Sequence, residues 1–342
     1  MKKRLSGKYG YKSNFNVEIT KLKFEWKRKS VFITGGTGLL GSHLIERLID
    51  LDANIIASYR SKNPKSYFFQ KKFHNKINLI NCDIKDRERI FDIISRYEPE
   101  IIFHLAAQTI VTTALINPLE TLNTNINGTI NILESSRLCK EVKAIVVASS
   151  DKAYGITDKL PYDETYKLEG KFPYDLSKAC ADLISQMYFS SYNLPLVITR
   201  AVNMFGPGDL NFNRIIPGTI AAIIKNKPLT IRSDGKMVRE YIYIKDVVNS
   251  YISLVENIEK TKGSSFNIGS GIIMNVLDVI NKIFSILNHE VPIEILNIAK
   301  SEIPNQFSSC DKITKSIGWK STFSFEEGIR ETYEWYKNEY FR

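Results

Sequence analysis

The chain has 342 residues, 43% hydrophobic and 25% charged, which fits one large folded domain or two smaller ones and excludes a disordered or fibrous chain. Its net charge of +10 is concentrated: residues 1–29 hold ten Lys/Arg and two Asp/Glu, a share of +8, leaving +2 for the other 313 residues. A charge confined to an arm, with no RNA-binding or zinc-finger signature beside it, excludes a nucleic-acid-binding body and marks residues 1–23 as a basic N-terminal arm of unassigned role.

No apolar run is long enough to cross a membrane, and no apolar core follows the basic start, so neither a transmembrane segment nor a secretory signal is expected. Cys82, Cys139, Cys180 and Cys310 form no CxxC pair, and the four histidines lack metal-ligand spacing. A cytoplasmic protein with reduced thiols and no metal site is the expectation.

The body opens with "VFIT" (31–34), a short apolar run that suits a buried parallel strand. Glycines follow at 35, 36, 38 and 41, and Leu39, Leu40, Leu44, Ile45, Leu48 and Ile49 recur at helical spacing. Further strands are read in "ANIIASY" (53–59), "INLINCDI" (77–84), "EIIFHLAAQ" (100–108), "VKAIVVASS" (142–150) and "LPLVITRAVNMFG" (194–206). Helices are expected at 86–97, 118–140 and 174–192. Strands alternating with helices give an α/β fold with a doubly wound parallel sheet. Beyond about residue 205 the elements shorten and Pro and Gly become denser, as in "FGPGD", "IIPGT" and "NKPLTIRSDGK", which marks a second, smaller lobe.

Gly35-x-x-Gly38-x-x-Gly41 lies between a strand and a helix, the context in which such a turn binds a dinucleotide. Glycines let a pyrophosphate approach the backbone, and the helix start offers unpaired N–H groups and the positive end of its dipole. The spacing resembles the short-chain dehydrogenase/reductase superfamily in its extended form, with a Rossmann-type fold and NAD(P) as cofactor. On that resemblance Gly35, Thr37, Gly38, Leu39, Leu40 and Gly41 contact the cofactor. Asp83 and Ile84 take the adenine-contacting place, and Leu105, Ala106 and Ala107 of "HLAAQ" run along the cofactor. The site of the acidic residue that selects NAD is occupied by "SYRSK" (58–62). With no carboxylate there, Arg60, Ser61 and Lys62 suit a 2′-phosphate, and the reading leans to NADP. Residues 24–205 are read as the NAD(P)-binding domain and 206–342 as the substrate-binding lobe, with the chain free to cross between them.

"PYDLSKACADLI" carries Tyr174 and Lys178, four apart and therefore on one face of a helix. A phenol titrates at about 10, too high for a base at neutral pH. A lysine ammonium beside it, with a cationic nicotinamide, favours the phenolate. Tyr174 is then the residue that takes a proton from a sugar hydroxyl, and Lys178 also holds the nicotinamide ribose.

The fifth strand ends in Ser149 and Ser150, followed by Asp151 and Lys152. Sheets of this class bind ligands at the carboxyl ends of their strands, so these side chains should face the site. In the extended family the serine here bonds the reacting sugar hydroxyl, which assigns that role to Ser150. Two adjacent charges imply proton chemistry beyond hydride transfer. A 4,6-dehydration needs such chemistry: oxidation at carbon 4 acidifies the carbon 5 proton, and an acid must protonate the hydroxyl leaving carbon 6. Asp151 is the candidate acid, and Lys152 the candidate group at carbon 5. As a base Lys152 has to be neutral while Asp151 holds a proton, and their adjacency opposes both. Lys152 acting electrostatically on the enolate is the other way out.

"SSDKAYG" and "PYDETYKLEGKFPYDLSKACADL", with "FEWKRKSVFITGGTG", "HLAAQTIV" and "NPLETLNTNINGT", resemble the nucleotide-sugar 4,6-dehydratases and most of all the CDP-glucose 4,6-dehydratases, over residues 24–340. The resemblance implies a nucleotide-sugar substrate, a place in deoxysugar and polysaccharide biosynthesis, and a homodimer through paired helices that include the one carrying Tyr174. It places Gln108, Ser150, Asn203, Arg214 of "NRIIP" and Arg239 of "GKMVREYIYIKDV" at the substrate, the arginine fork suiting phosphate oxygens. Two departures stand out: Gly36-Thr37 replaces a histidine-containing turn, and Gln306 lies near where many relatives use arginine. An epimerase or dehydratase of a UDP-, GDP- or dTDP-sugar, and a non-catalytic NAD(P)-binding interaction protein, are the alternatives.

Overall fold

The computed structural model describes residues 24–298 and 303–342. The basic arm, residues 1–23, lies outside the described residues. Strands β1 (Ser30–Thr34), β2 (Asn54–Tyr59), β3 (Asn78–Asn81), β4 (Ile101–His104), β5 (Ala144–Ala148) and β6 (Leu196–Ala201) alternate with helices. Then come β7 (Asn203–Phe205), β8 (Leu229–Ile231), β9 (Val238–Tyr243), β10 (Ser265–Ile268), β11 (Ile272–Asn275), β12 (Ile293–Ile295) and β13 (Asn305–Gln306). The main sheet has seven strands in the order β10-β6-β5-β4-β1-β2-β3, and every pairing in it is parallel. This is the expected doubly wound α/β architecture. The strand order reverses between β1 and β4, and a crevice opens there at the carboxyl ends.

Alternation along the strands divides the core. Val31 and Ile33 of β1 face one apolar layer and Phe32 faces the other, all fully buried. A strand covered on both faces reads as a continuous apolar run, which is why "VFIT" shows no polar alternation. Burying each such side chain contributes roughly 1.5–3 kcal/mol.

The helices that frame the crevice are α1 (Leu39–Asp50), α2 (Tyr67–Gln70), α3 (Arg87–Tyr97), α4 (Val111–Ile116), α5 (Pro118–Leu122), α6 (Gly128–Leu138), α7 (Pro173–Tyr192) and α8 (Ile215–Lys225). The single helix expected over 118–140 is instead α5, a π-helical turn at Asn123–Asn127, and α6. The wider turn carries Asn125, whose amide donates to the Gln108 carbonyl at 3.0 Å and the Ser177 hydroxyl at 2.8 Å, while its oxygen accepts from Gln108 N–H at 2.7 Å. The strand expected over 194–206 also divides. At Val202 the chain leaves the main sheet, and β7 pairs with β9 in a separate four-stranded sheet. β8 and β12 form a third, two-stranded sheet.

No described helix is long and apolar enough to cross a membrane. The four cysteines are free thiols, and among the described residues no group of three or more His, Cys, Asp or Glu is placed to hold a metal ion.

Candidate active site

A cavity of about 1350 Å³ opens at the crevice, between the main sheet and the C-terminal elements. A single small-molecule site takes roughly 300–1,000 Å³, so this one has room for two ligands side by side.

One end is built by the glycine turn. Gly35 has φ +70°, and a Cβ there would lie 2.9 Å from the Ala106 Cα, closer than real side chains come. A Cβ on Gly41 would run into the Gly35 carbonyl oxygen. Gly38 begins α1 without a side-chain cap, so the first amides of that helix are open to an anion. Thr34, just before the turn, fixes the opposite strand: its hydroxyl oxygen accepts from the N–H groups of Leu105 and Ala106, both at 3.1 Å. It also meets His104 Nδ1 at 2.8 Å, and His104 Nε2 meets the Thr129 hydroxyl at 3.0 Å. Burial drives His104 down to about 3, so its ring is neutral. Thr129 donates onward to the Asn125 carbonyl, which leaves it to accept from Nε2–H while Thr34 donates to Nδ1. These residues fit a dinucleotide: the cradle tolerates no side chain, and its walls are locked together.

The rest of that end follows the sequence in part. Gly35, Thr37, Gly38, Leu39, Leu40 and Gly41 line the cavity. So do Arg60, Ser61, Asp83, Ile84, Leu105, Ala106 and Ala107. Lys62 is exposed and does not line it. Arg60 is paired with Glu120 at 3.3 Å, a carboxylate that Lys85 holds at 2.7 Å. Gln108 is also absent from the lining: its side chain donates to Thr121 and Ile110 and accepts from Ile110 N–H, bracing the loop from within.

The centre is built by the end of β5 and the start of α7. Ser150 is the N-cap of a short 3₁₀ turn, Asp151–Tyr154; its oxygen accepts from Lys152 N–H at 3.2 Å, and its hydroxyl donates to Asp151 Oδ1 at 3.1 Å. The turn points Asp151 inward, where it is 3% exposed and its Oδ2 has no hydrogen-bond partner among the described residues. Burial pushes the Asp151 carboxyl up to about 6, opposed by Lys152 and by the Ser150 hydroxyl. Lys152 Nζ donates to Gln306 Oε1 at 3.0 Å. On α7, burial raises the Tyr174 phenol to about 12, while the charge of Arg214 and the Ser150 hydroxyl pull it back. Lys178 Nζ donates to the Ala148 carbonyl at 2.7 Å, and burial lowers this ammonium to about 8. The protein thus supplies a buried carboxyl held above its usual range, a phenol and two amines in one cavity.

The far end is lined by Asn203, Arg214 and Arg239. Asn203 donates to the Glu240 carbonyl at 3.2 Å, and Arg214 pairs with Asp209 at 3.0 Å. Arg239 is buried, and one guanidinium nitrogen donates to the carbonyls of Val238 and Pro304. Sequence reasoning missed Asp175, Tyr241 and Arg232 of the same lining. Asp175 stood inside the Tyr174–Lys178 interval and could have been flagged as a charge on the first turn of that helix.

The fold, with the solved structures it matches, defines an extended short-chain dehydrogenase/reductase of the NAD-dependent epimerase/dehydratase kind. Residues 32–332 match the family model described as GDP-mannose 4,6 dehydratase, and the chain belongs to that family. It is 28% identical over 336 residues to the CDP-paratose 2-epimerase of Salmonella typhi, across 89% of this chain and 98% of that protein. It is 29% identical over 325 residues, 91% of its length, to a trifunctional UDP-glucose 4,6-dehydratase/UDP-4-keto-6-deoxy-D-glucose 3,5-epimerase/UDP-4-keto-L-rhamnose-reductase of Arabidopsis thaliana. It spans about half, 48%, of that plant protein. The UDP-glucose 4-epimerase of Thermotoga maritima, solved with UDP-glucose, superposes with a TM-score of 0.83 at 26% identity, over 90% of this chain and 98% of that one.

Proposed function

We propose that the protein is a nucleotide-sugar 4,6-dehydratase that converts a CDP-hexose to its 4-keto-6-deoxy form. The observation that carries the reading is Asp151: a buried acid with one unpartnered oxygen, beside Ser150 and Lys152 in the family's substrate cavity. Hydride chemistry alone has no use for a buried acid poised near neutral pH. The Ser-Asp-Lys tip supports the CDP-sugar, as does the relative named for CDP-paratose.

NAD(P), when bound, would supply the hydride acceptor and donor for carbons 4 and 6. The glycine turn and the start of α1 would hold its pyrophosphate, and Lys178 its ribose. Tyr174 accepts the proton of the carbon 4 hydroxyl, with Ser150 bonded to the same oxygen. Burial raises the phenol, so the cation field of Arg214 and of the bound nicotinamide must offset it. Lys152 acts at carbon 5, and Asp151 protonates the hydroxyl leaving carbon 6. Asn203, Arg214 and Arg239 take the diphosphate and base. Arg60 and Ser61 favour NADP, with the Arg60 guanidinium exchanging Glu120 for a 2′-phosphate.

We assign a homodimer to the apolar residues that α4, α5 and α7 leave exposed, among them Ile116, Leu119, Leu176, Leu183 and Met187. A cytoplasmic enzyme with reduced thiols fits the free cysteines.

A panel of CDP-, dTDP-, UDP- and GDP-hexoses, read by the alkaline absorbance of the 4-keto product, tests the reading. Product from CDP-glucose in D₂O should carry deuterium at carbon 5. Turnover without deuterium there would favour the epimerase reading, to which the two epimerase relatives lend support.

A further inference from the structure

Arg200 lies on β6 and is 2% exposed, yet its guanidinium bonds three other parts of the chain. Nε and Nη2 donate to the two carboxylate oxygens of Asp182 on α7, at 2.9 and 3.0 Å. Nη1 donates to the Tyr154 hydroxyl at 2.9 Å, and Nη2 also to the Ser265 hydroxyl of β10 at 3.2 Å. Tyr154 closes the turn that begins with Asp151, and the guanidinium covers its ring 4.9 Å from the centroid. The Tyr154 hydroxyl donates onward to Asn267 Oδ1 at 2.7 Å. The Asn267 amide donates to the carbonyls of Tyr162 and Ser309, each at 3.1 Å. Asp182, Tyr154 and Asn267 are all buried.

Arg200, Asp182 and Tyr154 do not line the substrate cavity. As a stabiliser the ion pair is a poor choice, since two charges must leave water and an apolar pair of the same size is often as stable. What a guanidinium adds is geometry: its planar fork holds several acceptors at fixed angles. Here the acceptors belong to the two segments that carry the chemistry. Asp182 is one helical turn beyond Lys178 on α7, and Tyr154 is two residues beyond Lys152. The tip of β5 is thus anchored twice, at Lys152 by Gln306 and at Tyr154 by Arg200 and Asn267. The two anchors meet: Asn267 holds the Tyr162 carbonyl, and the Tyr162 N–H donates to the carbonyl of Phe307, next to Gln306.

We propose that Arg200 and Tyr154 are positioning residues that hold the Ser150–Lys152 tip in place against Tyr174 and Lys178. The inference deepens the dehydratase reading and rests on it. Ser150 and Tyr174 have to meet one oxygen, on carbon 4, while Asp151 and Lys152 reach carbons 6 and 5 of the same sugar. A misplacement of about 1 Å between catalytic segments can cost roughly a hundredfold in rate. The Asp182–Arg200–Tyr154 brace acts on that distance without touching the substrate.

The test uses the full-length protein with Tyr154→Phe, Arg200→Lys and the two combined, after thermal melts establish that each is folded. Tyr154→Phe deletes the shared hydroxyl and keeps the ring, which is stacked on Tyr162. Arg200→Lys keeps the charge beside Asp182 and loses the fork. Without ligand, hydrogen–deuterium exchange of the peptide covering 150–155 should quicken by about tenfold in Tyr154→Phe, while β5 exchanges as in the wild type. Unchanged exchange in the turn overturns the proposal. With CDP-glucose, Tyr154→Phe should lower kcat by about tenfold or more and leave KM and the dinucleotide Kd within about twofold. KM and Kd weakening together with kcat indicate a residue that serves stability alone, and also overturn it. Arg200→Lys should add little to the loss in the Tyr154→Phe background, since both break one brace; additive losses count against it. Tyr154→Phe, which removes no charge, decides alone if Arg200→Lys does not fold. If the wild type yields no 4-keto product from CDP-, dTDP- or UDP-glucose or GDP-mannose, the dehydratase reading fails, and the exchange series still decides the brace.

Discussion

Lys152 Nζ donates to Gln306 Oε1 at 3.0 Å, joining residues 154 apart in the sequence. Gln306 is fully buried, and its Nε2 has no partner among the described residues. A neutral oxygen steadies the amine without fixing its charge. An arginine at this place would set a second cation against Lys152. Gln306→Arg should therefore move the Lys152-dependent limb of the kcat–pH profile downward by about one unit. A profile identical to wild type would show that the bond does not govern the amine.

Tyr174→Phe removes the phenol in the first turn of α7 and leaves the packing of the helix in place. Turnover should fall by about 10²–10⁴-fold, the usual share of acid–base catalysis. Binding of the dinucleotide, followed by fluorescence, should change little. Near-normal turnover would remove Tyr174 from the chemistry.

Asp151→Asn separates chemistry from stability. The variant should slow water elimination more than oxidation at carbon 4, seen as reduced cofactor accumulating at 340 nm. Its effect on stability has a definite sign. The folded carboxyl, at about 6, lies above its ordinary 3.8, so the folded state binds the proton more tightly. That contribution is full below about pH 4 and is lost as pH rises through about 6, a difference on the order of 3 kcal/mol. Denaturant unfolding at pH 4 and pH 8 should show a smaller decline for the asparagine variant than for wild type. An equal decline would place the titration on other groups, Asp175 among them.

Gly35→Ala meets both a positive φ and the Ala106 backbone. It should cost about 1–3 kcal/mol of stability and abolish tight cofactor binding. Calorimetry with NAD and NADP measures the second effect directly.

What could be read from the sequence was local. The glycine turn, the Tyr174–Lys178 interval and the Ser150–Lys152 tip each lie within a few residues, and helix or turn geometry turns that spacing into a place in space. The seven-stranded sheet was legible through its apolar runs, up to β6. β10 was not, because "SFNI" is a four-residue run whose burial comes from docking beside β6. The π-helical turn at Asn123–Asn127 was equally hidden, since its extra residue changes no composition. The inward turn of Gln108, whose side chain bonds Thr121 and Ile110, is not visible in the sequence, where it simply borders the cofactor loop. Gln306 stood out as a departure from the relatives, but only the folded chain shows it touching Lys152.

The crossing at Val202 has a practical consequence. β7 leaves for the substrate side directly after β6, and β10 comes back to pair with β6. The main-sheet half therefore contains chain from both sides of residue 202. Exchanging sugar preference between relatives is then not a matter of grafting one contiguous block. A chimera joined once at the crossing would leave β6 without its outer neighbour from the same parent. Transplants should instead move three separated pieces together: β7 with α8, the segment from β8 to β9, and the stretch around β13.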